Sequence, residues 1–370
     1  MPGTTFAVSD LPVIDRTDFA ELFVSGAPLL DLRSPSEFAR GSFPHATNLS
    51  LLTNDERHRV GLCYKNKGQA AAMALGNELV SGEVRRERMR DWSRFFEDHC
   101  DAALYCWRGG LRSETVQAWL ADAGVIAPRV TGGYKALRQF LLETTEHAPQ
   151  AFRFLVLGGR TGSGKTKLLT QFAEHADLEA LAHHRGSAFG GHREPQPTPI
   201  DFENALAIAL LKKRAAGVRE ILVEDESRTI GRLAIPASLH QAMNDAPLVV
   251  LEAELATRVE NILGEYVHEP LEHMSTEALE ATLCGALGRI QRRLGGKRYA
   301  QIRALVEKAF ASDDDALHRE WIKRLLETYY DPQYDHQLDT KAERIVFRGD
   351  DEDVAEFLAE RRMTVLDSHR

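Results

Sequence analysis

Short apolar runs alternate with amphipathic stretches along most of this chain, a rhythm that predicts strands and helices in turn. Residues 28–32 and 102–105 are apolar runs of strand length, and 130–134 is a strand end running into a glycine turn. Helical patterns follow each. Residues 36–40 begin a helix, 114–123 set Val116, Trp119 and Leu120 at helical spacing, and 135–142 form a third. Between Asn54 and His99 lies a polar, helix-prone insertion, and residues 144–150 carry the polar and proline signals of a linker. The next apolar run, 152–157, leads into glycines. It is followed by 220–225, which ends in acids, and by 246–251, with helical patterns between. Such strand–helix alternation implies an α/β fold with parallel sheets covered on both faces. Residues 275–330 read as helical and charged, and 346–370 as a C-terminal tail. At 370 residues the chain exceeds one ordinary core. The expected domains are 10–145, with the insertion at about 54–99, and 151–345, with a helical C-terminal region.

Composition narrows the class. No apolar run approaches the ~18 residues a membrane span needs, so no membrane association is expected. The N-terminus lacks a basic region followed by an apolar run, so it does not read as a secretory signal. The 4 cysteines, Cys63, Cys100, Cys106 and Cys284, lie at no metal-like spacing. Together these features suggest reduced thiols and a cytoplasmic location. The net charge of −9 speaks weakly against nucleic acid, although only a local basic patch decides binding.

Two motifs carry chemistry. Gly159, Gly162, Ser163, Gly164, Lys165 and Thr166 belong to a full G-x-x-x-x-G-K-[ST] phosphate loop, after a predicted strand and before a predicted helix at 168–173. The glycines let backbone wrap a phosphate, the lysine neutralises it, and the threonine hydroxyl is placed to ligate magnesium. Asp225, ending its strand, is the first choice for the acid that orients the ion, with Glu224 and Glu226 as competitors. ATP or GTP is the default client of such a loop, although no guanine-reading motif is present. The second motif is Cys106-x5-Arg112-Ser113, in a tight loop between a strand and a helix. Loop amides, the helix N-terminus, Arg108 and Arg112 favour a nucleophilic thiolate and would hold an anion. Cys63 reads as an ordinary thiol, Cys100 and Cys284 as packing residues, and Asp31 as a turn-capping carboxylate. Residues 183–187 are either part of a substrate wall or a solvated loop. Arg228 and Arg232 stand near the sheet end where ligands bind, or simply pair at the surface.

The first part resembles the rhodanese family. The matching segments are 31–38, 41–49, the Cys106 loop and Gly132-Gly133-Tyr134. With the phosphate-loop domain behind it, the whole of roughly 10–345 resembles the tRNA 2-selenouridine synthase family, supported by 54–61, 64–68, 106–110, 158–166 and 184–190. That resemblance implies a rhodanese-like domain followed by a P-loop NTPase-like domain. It also implies conversion of wobble 2-thiouridine in tRNA to 2-selenouridine. The sulfur is first alkylated from geranyl diphosphate. Selenium from selenophosphate then passes through an S-selanylcysteine at Cys106, with Arg108 and Arg112 holding the phosphate. On this view the phosphate loop takes geranyl diphosphate, with Mg2+ at Thr166 and Asp225, and no tightly bound organic cofactor is expected. The implied partners are tRNA and a selenophosphate-producing enzyme, and the chain is expected to be a monomer. The RNA candidates are Arg289, Arg292, Arg293, Lys297 and Arg298 beside Tyr299, with 85–90 and 212–214 as further basic runs. Other readings stay open. They are a rhodanese-type sulfurtransferase coupled to a nucleotide-hydrolysing domain, a cysteine phosphatase with the same loop spacing, and a nucleotide-dependent switch that only binds a partner.

Overall fold

The computed structural model describes residues 11–191, 194–361 and 363–364. The N-terminal stretch weighed above as a signal lies mostly outside the described residues, as does the end of the presumed tail. The chain forms two compact units, one running to His147 and including Pro197–Ala216, the other comprising Ala148–Gln196 and Gly217 onward.

The first unit is built on a five-stranded parallel sheet. Its order is Val13–Ile14, Arg129–Val130, Ala103–Tyr105, Leu29–Asp31, Ala46–Asn48. Leu29 and Tyr105 face one apolar cluster, and Leu30 and Leu104 face the other, as strand alternation requires. The insertion is two helices, Asn54–Leu79 and Gly82–Asp98. The second buries Trp92, Phe95 and Phe96, with the Trp92 indole donating to Leu49 O at 2.9 Å. The residues expected to be a linker are helical, closing Gly133–Glu146 and forming Ala148–Ala151.

Helix Pro199–Ala215 falls within the stretch the sequence assigns to the second domain, yet it packs in the first unit. Ala207, Ile208 and Leu211 join the Phe19–Phe43 cluster. Polar side chains fix that position. Ser42 N–H donates to Asp201 Oδ1 at 2.6 Å, and Asn204 Nδ2 donates to Ser42 O at 2.6 Å.

The second unit has a four-stranded parallel sheet in the order Ile345–Gly349, Leu248–Leu251, Arg153–Gly159, Glu220–Glu224. The stretch expected to be a tail supplies the edge strand and helix Asp351–Glu360, whose Val354 and Leu358 enter the core with Leu155, Leu157 and Leu251. Helices Thr276–Leu294, Gly296–Ser312 and Asp315–Leu325 pack on a separate apolar cluster with Val259, Ile262 and Leu263. After the phosphate loop the helix is only Lys165–Leu169. Thr170 Oγ1 donates back to Thr166 O at 3.0 Å, and the chain then runs beside Leu222, with Ala176 N–H donating to Leu222 O at 2.9 Å. Among the described residues no helix is long and apolar enough to cross a membrane.

Candidate active site

The cysteine loop leaves the sheet at Tyr105 and ends at Gly110, the N-cap of helix Leu111–Asp122. Two glycines lock it down. Gly109 (φ +63°) and Gly133 (φ +56°) meet back to back, and a Cβ on Gly133 would lie 2.2 Å from Cys106 O and 2.4 Å from Gly109 N. Tyr134 N–H donates to Cys106 O at 2.9 Å and Lys135 N–H to Trp107 O at 3.1 Å. Cys106 is 3 % exposed. Its Sγ lies 3.2 Å from Ser113 Oγ, whose own hydrogen is directed at Gly110 O, 2.9 Å away. The thiol also reaches Gly110 O at 3.8 Å, so either sulfur or hydroxyl can donate to the other, and a Ser113 hydroxyl turned to the sulfur supplies a donor to the thiolate.

Beneath the loop Asp31, read from sequence as a turn cap, is a fully buried acceptor. It receives Arg33 Nη2 at 2.6 Å, Arg33 Nε at 2.8 Å and the Tyr105 hydroxyl at 2.7 Å. Arg33 in turn lies 3.7 Å over the Tyr134 ring. Arg112 is not a free cation aimed at the loop. Its Nη1 donates to Glu37 Oε2 at 2.7 Å, and Arg57 approaches the same carboxylate at 3.4 Å. Arg108 is exposed. Burial raises the Glu37 carboxyl, but its bonds to Arg112 and Ser34 and the charge of Arg57 outweigh this and bring it down to about 2.

Trp107, 38 % exposed, stacks on Tyr134 with ring centroids 5.3 Å apart. It borders a cleft of about 540 Å³ with Arg40, Arg57 and His58. Arg112 itself borders an apolar groove of about 500 Å³, lined also by Leu51, Val60, Met73, Leu111 and Trp119.

In the second unit the phosphate loop opens onto a cleft of about 720 Å³. Gly162 (φ +80°) lies against helix Leu255–Leu263, where a Cβ would meet Arg258 O at 2.8 Å. The loop is braced by Arg258 Nε on Thr161 O (2.9 Å) and Asn261 Nδ2 on Gly162 O (2.8 Å), while Arg258 is itself held by Asp331. Lys165 Nζ donates to Gly159 O at 2.9 Å. Residues 183–187 line the cleft, in keeping with a substrate wall, whereas Arg232 bonds Gln196 O in a hairpin.

The acids at the strand end are not placed as first chosen. Both Asp225 oxygens accept from Lys341 Nζ at 2.7 Å. Glu224 instead turns toward Thr166 and Lys165, and joins Glu179 and Glu226 in a carboxylate cluster. Burial first, and repulsion within the cluster second, push Glu179 and Glu226 well above the usual carboxylate range. Among the described residues the buried side-chain atoms without a hydrogen-bond partner are Ser163 Oγ, His184 Nδ1, Glu224 Oε1, Tyr330 Oη and Tyr334 Oη. Ser163 belongs to the phosphate loop and the other four residues line the cleft. Such concentration of unpartnered polar atoms marks a place built for a ligand. Two π-helical turns, Gly264–His268 and Leu326–Tyr330, bring Tyr266 and Tyr330 to its wall.

A family model described as the tRNA 2-selenouridine synthase AAA domain matches residues 152–365. Relatives named tRNA 2-selenouridine synthase match nearly end to end. The protein of Bordetella bronchiseptica is 50 % identical, covering 93 % of this chain and 97 % of its own. That of Hahella chejuensis is 49 % identical, with 93 % and 94 % covered. That of Azotobacter vinelandii is 48 % identical, with 94 % and 97 % covered. The chain belongs to the tRNA 2-selenouridine synthase family.

The segment matched by the tRNA 2-selenouridine synthase AAA domain holds the phosphate loop, the three glutamates and the C-terminal strand and helix. Arg289, Arg292, Arg293, Lys297 and Arg298 are exposed around the junction of two helices in the same segment. Arg289 Nη2 donates to Ala188 O at 2.6 Å, and Arg85 and Arg88 of the other basic run are likewise occupied, over Trp119 and on Glu56. Cys100, expected to pack, is exposed, and Cys284 packs against the helical cluster. Sequence reasoning missed Glu179, Glu37 and Arg33. Glu179 carried no local signal, because only folding sets it beside Glu224.

Proposed function

We propose that this chain converts 2-thiouridine in tRNA to 2-selenouridine in two steps, each served by one unit. In the first step, the thiocarbonyl sulfur attacks the first carbon of geranyl diphosphate. A C–S bond forms, the C–O bond to diphosphate breaks, and the ring loses its N3 proton. The phosphate loop holds the diphosphate, with Lys165 balancing its charge as it departs. A magnesium ion bound beside Thr166 would add Lewis-acid stabilisation, and the oxygen donors present suit that ion, with Glu224 in the place first given to Asp225. In the second step a C–Se bond replaces the C–S bond and geranylthiol leaves. The Se–P bond of selenophosphate opens to phosphate with one water. On this reading Cys106, in a rhodanese-like loop, carries that selenium as an S-selanylcysteine: a low-molecular-weight disulfide takes up the two electrons as the S–Se bond forms, and the two thiols so produced return them when that bond breaks on transfer to the ring carbon.

The single observation that carries this is the pairing of two different anion-handling sites in one chain of the family. One is a cysteine just before a helix N-terminus, its Sγ 3.2 Å from Ser113 Oγ, and the other a phosphate loop facing a cleft of about 720 Å³. The other features fit. Trp107 and the basic cleft around Arg40, Arg57 and His58 suit stacking and phosphate contacts for the target nucleotide. The apolar groove beside Arg112 suits the departing prenyl chain. The exposed cations Arg292, Arg293, Lys297 and Arg298 suit the tRNA backbone.

Nucleoside mass spectrometry of tRNA incubated with geranyl diphosphate and selenophosphate tests the assignment. Cys106→Ser should stop selenium incorporation and leave S-geranylated uridine to accumulate. Lys165→Ala should stop alkylation yet still selenate RNA that is already geranylated. Selenation by the serine variant, or alkylation at the wild-type rate by the alanine variant, would refute it.

A further inference from the structure

We propose that Glu179, Glu224 and Glu226 form a binding site for one hard divalent cation, magnesium or manganese, that fills before any phosphate ligand arrives. One carboxylate oxygen from each residue lies within 4.8 Å of the others. An ion about 2.0–2.6 Å from each oxygen spans such a gap. The donors are all oxygen, which selects hard cations over zinc or copper.

A group of acids is not by itself a metal site, and a second observation distinguishes this one. Glu224 is 2 % exposed, and its Oε1 has no hydrogen-bond partner. A buried carboxylate oxygen is normally bonded, because leaving it bare costs free energy on the order of 1–3 kcal/mol or more. Without a cation the repulsion is relieved only by a proton shared between Glu179 and Glu226, which hydrogen-bond each other. Among the described residues none of the three acids forms an ion pair, and Lys165 is turned onto Gly159 O. A divalent cation would meet both needs, satisfying the bare oxygen and cancelling most of the repulsion. Gly186 leaves the space open, since a Cβ there would sit 2.3 Å from Glu179 Oε1 and 2.9 Å from Glu226 Oε1.

The site differs from a simple phosphate-loop magnesium, which takes one or two protein carboxylates and relies on substrate phosphates for the rest. Three carboxylates from two separate segments let the protein hold the ion alone. The loaded cation would then sit beside Thr166 and prepare the cleft to receive a diphosphate. The inference concerns the cleft proposed for geranyl diphosphate, but needs only that the cleft takes some phosphate ligand.

The test is a manganese titration of the full-length protein without RNA or any phosphate, following the loss of the free aqueous Mn2+ signal by electron paramagnetic resonance. About one ion should bind per chain, and magnesium should displace it. Glu179→Gln and Glu226→Gln, checked for folding by circular dichroism, should each weaken binding about tenfold or more. Lys165→Ala, which removes a nearby positive charge, should bind manganese as tightly as wild type or tighter while losing alkylation. No manganese bound by the wild-type protein, or titrations of both Gln variants that overlay it, would overturn the site. Neither result would touch the Cys106 and Lys165 assignments, which are read from nucleosides. Conversely, normal manganese binding with no alkylation would sink the function and leave the site.

Discussion

Glu37 shows how one side chain can support the Cys106 loop without touching Cys106. It closes a capping box with Ser34 at the start of helix Pro35–Phe38 and accepts Arg112 from the helix that follows Cys106. Its carboxyl lies at about 2, against an ordinary value of 4.5. A depressed carboxyl contributes stability that is complete above its unfolded value and is lost as pH falls through the folded one. That difference corresponds to on the order of 3 kcal/mol, most of it lost as pH falls from about 4.5 to about 2. Glu37→Gln should therefore cost about 2 kcal/mol at pH 7. Urea unfolding at a series of pH values should show the gap to wild type shrinking steadily below pH 4.5. A gap that stays constant down to pH 2 would mean that the ion pair contributes nothing and only the cap matters.

Strand Ile345–Gly349 and helix Asp351–Glu360 show what an element owes to partners remote in sequence. The strand pairs with Leu248–Leu251, and Val354 and Leu358 are fully buried against residues of the phosphate-loop strand. Leu358→Ala should cost about 2–5 kcal/mol, read as a lower unfolding midpoint, with phosphate-dependent chemistry failing at lower temperature than selenation. If the segment were the tail expected from the sequence, the substitution would be silent. Legibility in this chain followed the range of the interaction. Continuous apolar runs such as 220–225 and the spacing of Gly159, Gly164 and Lys165 are local, and both strand and phosphate loop stand where the pattern put them. The cysteine loop was legible for the same reason. The short helix after Lys165 was not, because Thr170 and the pairing of His175 with Leu222 end it against its apolar pattern. Helix Pro199–Ala215 was assigned to the wrong unit because Asp201 and Asn204 find their partner in Ser42. The choice among Asp225, Glu224 and Glu226 turned on Lys341, which no spacing rule links to that strand.

On the scale of the whole molecule, the two candidate sites belong to units with separate apolar cores. The Cys106 loop rests on the clusters around Phe19 and Leu30, and the phosphate loop on those around Leu155 and Val259. Substitutions in sites that share no partners and rest on separate cores act independently. Cys106→Ser should thus leave the phosphate-loop cleft intact, and Lys165→Ala should leave the cysteine loop intact. Two variants with complementary defects can then cooperate, provided that alkylated tRNA leaves one molecule and binds another. Phosphate contacts dominate RNA affinity and weaken steeply with salt, so that exchange is favoured at higher ionic strength. Neither variant alone should make 2-selenouridine from 2-thiouridine tRNA. An equimolar mixture, supplied with geranyl diphosphate and selenophosphate, should make it. The yield should rise as salt is increased from a low starting value, then fall once binding itself fails. Product confined to the wild-type protein at every salt concentration, with each variant still performing its own half-reaction, would show that the intermediate never leaves the chain on which it forms.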